Sequence, residues 1–102
     1  MNKDPQITAT VKEILDLVKN ISPGKSVELR VPPYCAIQCV AGSNHRRGTP
    51  SNTVEMSGQT LVRLINEPSL WIPLCESGAV RASGLLSDLS SVFTQAAVQY
   101  RV

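Results

Sequence analysis

Aromatic residues are scarce in this sequence. Tyr34, Trp71, Phe93 and Tyr100 are the only ones among 102 residues, and they are scattered. A base-stacking surface needs aromatics in a cluster. The formal net charge of +2 adds too little to argue for nucleic acid. With so few rings the core must be Val, Leu, Ile and Ala, and an apolar fraction of 42% supplies enough of them. Long hydrophobic runs are missing as well. None approaches the ~20 residues of a membrane span, and Met1-Asn2-Lys3-Asp4-Pro5 has no apolar stretch of the kind a secretory signal carries. The expectation is a cytoplasmic chain without stable membrane insertion. Internal repeats and low-complexity tracts are absent, and the length suits one domain, residues 1–102.

Histidine is represented once, by His45. A hydrolytic site would set it beside a nucleophile and an orienting acid. Cys39 or Ser43 with Glu55 are the available groups, but no motif joins them, and no G-x-S-x-G elbow is present. The expectation is no catalytic residue and no cofactor. Three cysteines are an odd number for a disulfide framework. Cys35 and Cys39 would share a strand face about 13 Å apart at ~3.3 Å per residue. That is beyond the ~7 Å Cα reach of a disulfide and beyond joint ligation of one zinc from a regular strand. Three free thiols and no metal site follow.

What is present has clear punctuation. Asp4-Pro5 starts a helix, with Asp as cap and Pro in the first turn. Ile7, Val11, Ile14, Leu15 and Val18 repeat at helical spacing opposite Lys12, Glu13, Asp16 and Lys19. Ser22-Pro23-Gly24 ends it. Ser26 to Val31 alternates as a strand with one wet face. Tyr34 to Ala41 reads as a second strand, apolar on both faces and therefore central and covered on both sides. Thr53 to Met56 is a short strand. Ser57 caps a helix bearing Leu61, Leu64 and Ile65, and Glu67-Pro68 stops it. A short helix spans Trp71 to Glu76, Ser77-Gly78 turns the chain, and Ala79 to Ser83 forms a further strand. After Gly84, Ser87-Asp88 opens a last helix with Leu89, Val92, Phe93 and Ala96.

The polar loop from Gly42 to Asn52 carries the most distinctive chemistry. His45, Arg46, Arg47, Thr49 and Asn52 offer guanidinium forks and hydroxyl or amide donors for a carboxylate or phosphate head group. The same residues also suit a solvated loop whose arginines pair with Glu28 or Glu55. The Gly42–Gly48 spacing is not that of a P-loop, and no Gly-Lys-Ser/Thr follows. Trp71 likewise has two compatible roles, as a core anchor and as a wall of a binding pocket.

The run TVEMSGQTLVRLINEPSLWIPLCESGAVRASG resembles the C-terminal half of the sterol carrier protein (SCP2-like) domain. Thr60-Leu61, Leu64, Trp71, Ser77-Gly78, Val80 and Gly84 stand at that family's characteristic places. Short actinobacterial members of the sterol carrier family are also similar at RVPPYCAIQC, HRRGTPSNTVE and VRASG, so that the similarity covers most of residues 5–93. The resemblance implies an α+β fold: a twisted, mainly antiparallel sheet of four or five strands with helices packed on it. It also implies a non-enzymatic module binding a small apolar or amphipathic, lipid-like ligand in an apolar tunnel. Trp71, Leu74, Val80, Leu89, Val92 and Phe93 would line that tunnel. The chain lacks the longer strand-turn-strand segment that such domains carry between residues 41 and 53, so any cavity should be small. The alternative is an accessory domain serving a separate protein partner, such as a thiol-dependent isomerase, because similar modules occur fused to such enzymes.

Overall fold

Asp4 opens the first helix as its sequence context predicts. In the computed structural model, which describes residues 4–42 and 51–100, α1 spans Pro5–Ile21 and the Gln6 N–H donates to Asp4 Oδ1 at 3.0 Å. Val11, Ile14, Leu15 and Val18 form its buried stripe. The chain continues through β1 (Val27–Val31), β2 (Cys35–Cys39), β3 (Asn52–Met56), α2 (Gly58–Asn66), a 3₁₀ turn (Pro68–Leu70), α3 (Trp71–Ser77), β4 (Val80–Ser83) and α4 (Ser90–Tyr100). Ser57 caps α2, its Oγ accepting the Thr60 N–H at 3.1 Å. Gly78 ends α3 at φ 85°, a left-handed cap that glycine adopts without strain.

Among the described residues four strands form one sheet in the order β2-β1-β3-β4. β1 pairs antiparallel with β2 and parallel with β3, and β3 pairs antiparallel with β4. The alternation in β1 and β3 decides which face is covered. Val27, Leu29, Val31, Val54 and Met56 are buried on one side, while Glu28, Arg30, Thr53 and Glu55 occupy the other. The apolar face joins the buried stripes of the helices in a single core around Phe93, Ile14, Leu29, Leu61 and Leu64.

β2 corrects the sequence expectation. It is an edge strand, not a central one, and only Cys39 in it is fully buried. Its second apolar face does not exist as a face. Ala36 is exposed, and Tyr34 precedes the strand. The Tyr34 ring lies so close to Gly58 that a Cβ there would meet its Cε2 at 2.8 Å. Val40, at φ 67°, has turned out of the ladder into a conformation that costs a β-branched residue strain. The turn after α1 holds it there. Val40 N–H donates to the Ser22 carbonyl at 2.7 Å and Val40 O accepts the Ser26 N–H at 3.1 Å. α4 also begins at Ser90, later than Ser87-Asp88 suggests, with the Ser90 N–H donating to Asp88 Oδ1 at 2.9 Å.

Candidate functional site

The six apolar residues singled out from the sequence come together. Trp71 and Leu74 on α3, Val80 on β4, Leu89 just before α4, and Val92 and Phe93 within it all belong to the one core. The Trp71 and Phe93 rings stack with centroids 6.1 Å apart. Each of the six is at most 8% exposed, and of them Val80 alone lines the groove along β4.

The covering layers part at β4. By register Ala82 pairs with Val54 and Val80 with Met56, so both alanine and valine face the helices. Val80 is buried, but Ala82 is exposed, although its cross-strand partner Val54 is fully covered. α3, which packs on β4, has only seven residues and ends at Gly78, and of the inward side chains of β4 Val80 is buried and Ala82 is not. The following turn carries Leu85 and Leu86 outward, 100% and 42% exposed. A groove of about 460 Å³ runs along β4 here, lined by Cys75, Gly78, Val80 and Ala82 together with Arg30, Thr53, Glu55, Arg81 and Ser83. A second hollow of about 330 Å³ adjoins it, sharing Glu55, Gly78 and Arg81 and adding Pro32, Met56, Ser57 and Ala79.

The helix-free face is polar. Arg30, Glu55 and Arg81 form a cross-strand row over β1, β3 and β4. Arg81 pairs with Glu55, and Arg30 with Glu28. The hydrogen bond and charge of Glu28, with Glu55 beyond, raise the Arg30 pKa further. Sequence reasoning did not single out Arg81 or the row it belongs to. The one available signal was the alternation of Val80-Arg81-Ala82-Ser83.

Asn52 is placed differently from an exposed head-group ligand. It is buried at the start of β3, where its Nδ2 donates to the Ser26 carbonyl at 2.9 Å and its Oδ1 accepts the Leu86 N–H at 3.0 Å. Gly84 packs so tightly on it that a Cβ would lie 2.3 Å from Oδ1. Asn52 therefore ties the β4–α4 turn to the starts of β1 and β3. His45, Arg46, Arg47 and Thr49 lie outside the described residues.

The cysteines are all free. Burial pushes the Cys39 thiol up to about 11. Burial first, then the nearby Asp88 and Glu76 charges, also raise Cys75. A thiol held protonated is a poor nucleophile. Among the described residues no three His, Cys, Asp or Glu side chains gather as a metal site, and no helix is long and apolar enough to cross a membrane.

Comparison with known proteins agrees with this architecture. No curated protein matches the sequence. Among solved structures, one titled "UbiJ-SCP2 Ubiquinone synthesis protein" superposes with a TM-score of 0.56 at 16% identity, covering 100% of this chain and 98% of the other. That likeness establishes the α+β, SCP2-like fold, which among the described residues is a four-stranded mixed sheet with four α-helices. A family described as "Bacterial SCP ortholog" matches residues 3–94, and the chain belongs to that family.

Proposed function

We propose that this domain is a non-catalytic binding module for a small amphipathic, lipid-like molecule. The family is generally associated with lipid binding, and domains of this fold are typically non-catalytic. The observation that carries the reading is Ala82: it faces the helix layer and is uncovered, directly beside buried Val80. An apolar chain lying there would extend the core outward, with Trp71, Leu74, Val80, Leu89, Val92 and Phe93 as its inner wall. Burying apolar surface of this kind is worth roughly 25 cal/mol per Å², and ligand sites are typically apolar with a few placed polar groups.

Native mass spectrometry of freshly purified protein tests this reading, with Trp71 emission followed during addition of fatty acids, acyl-thioesters, sterols and a long-chain quinone. The quinone is included because the fold relative is titled for ubiquinone synthesis. A co-purified lipid-like mass, or a saturable change in emission, is the expected result. A buried Trp71 indifferent to the whole panel would overturn it.

A second reading, docking on a separate protein, is favoured by the exposed side chains of Ile72, Leu85, Leu86 and Val98. Under it the same panel leaves Trp71 silent, and the apolar side chains are covered only in a complex.

A further inference from the structure

We infer that the ligand's anionic head is held by Arg81 on the outer side of β4, with its chain passing over the strand edge toward Ala82 and Cys75. This rests on the reading that the domain takes a lipid-like ligand, and it assigns that ligand a class: a soluble single-chain carboxylate. The sequence points for such a role to the arginines at 46 and 47, whereas the geometry points elsewhere.

Three observations converge on Arg81. First, it borders both hollows that flank β4. Second, its side chain is 70% exposed while Val80, its neighbour in the strand, is 2% exposed, so charge and apolar core meet within one residue. Third, the groove offers cationic donors: Arg30 and Arg81 both line it, Arg30 tied to Glu28 and Arg81 to Glu55. Glu55 does not exhaust Arg81. It engages Nη2, and a guanidinium has five N–H donors, so the pair holds the fork in place with donors left over. Ser83 stands two residues on, on the same side of the strand about 6.6 Å away, and pairs in register with Thr53. Among the described residues β4 is also the last strand of the sheet, and its outer backbone edge has no partner strand there. An extended chain can cross that edge without displacing a ladder.

The test uses the full chain, laurate, and the alcohol of the same chain length. Laurate should slow alkylation of Cys75 several-fold, read site by site by peptide mass mapping, and leave Cys35 on the opposite edge unchanged. Calorimetry should show wild-type protein preferring laurate over the alcohol by about tenfold, the lower end for a charge-assisted hydrogen bond. Arg81→Gln should reduce that ratio to near unity, and Arg81→Lys should retain part of it. A double Arg46→Ser, Arg47→Ser variant should keep the full preference. If laurate binds but Cys75 is not protected, or if Arg81→Gln keeps the preference while the double variant loses it, the head lies elsewhere and this assignment is overturned with the binding function intact. If neither laurate nor the alcohol binds at all, both the assignment and the function it rests on fall.

Discussion

The helix-facing side of the sheet is closed over β1 and open over β4. Under β1 every inward residue, Val27, Leu29 and Val31, is fully buried beneath the helix layer. Under β4 only Val80 is covered, and Ala82 is not. Both halves are built from the same alternation, so the strand pattern does not make the difference. Position does: β1 lies between β2 and β3, whereas β4 is an edge strand packed against the seven-residue α3. The closed half supplies stability, and the open half leaves apolar surface beside charge, where the proposed ligand would lie.

The sharpest way to break this contrast is to delete matched side chains from each half. Leu64→Ala in the closed half should cost about 2–5 kcal/mol in denaturant unfolding, the range for a fully buried leucine. Leu74→Ala, on α3 beside the groove, should sit at or below the lower end of that range, because its surroundings have room to adjust. Equal losses would mean that the β4 end is packed as tightly as the rest.

Next in size is Asn52, which fastens the open end. Asn52→Ala leaves the Ser26 carbonyl and the Leu86 N–H without their side-chain partner and should cost about 2–3 kcal/mol. Asn52→Asp sharpens the test through pH. An ionised carboxylate would face the Ser26 carbonyl, which needs a donor, so this variant should lose stability as pH rises through the carboxyl range.

How far the sequence foretold this picture depended on whether a feature was local. α1 was legible because Asp4, Pro5 and five apolar residues at helical spacing are contiguous, and α2 because Ser57 sits directly before its apolar stripe. β2 misread because small apolar residues on alternate positions look the same whether or not anything covers them. Whether Ala36 has a neighbour is decided by strand order. The Arg30–Glu55–Arg81 row was illegible for the same reason, since it exists only once β1, β3 and β4 are in register. Asn52 looked like a surface donor because its type usually is one; burial at a strand start gives it a different use.

Two smaller effects refine the comparison. Cys39 lies in the closed half with its thiol raised to about 11, from an ordinary value near 9. The folded state therefore holds a proton that the unfolded chain gives up, so this contribution is present below pH 9 and is lost as pH rises toward 11. Unfolding midpoints should fall over that window, less steeply in Cys39→Ala. Asp88, at the open end, is held below the usual carboxylate range by hydrogen bonds from Ser90. Its contribution is present above the normal carboxyl pKa and lost as pH falls through the lowered value. Asp88→Ala should cost about 1 kcal/mol at neutral pH, the usual net size of one hydrogen bond, and close to nothing once the wild-type carboxyl is protonated.

The most direct measurement is amide hydrogen exchange with and without laurate. The account predicts slower exchange in β4, α3 and the start of α4, with α1, β1 and β2 unchanged, since the closed half is already covered. Protection spread evenly over the whole chain, or confined to α1 and β1–β2, would contradict the claim that the domain takes its ligand where the two layers part.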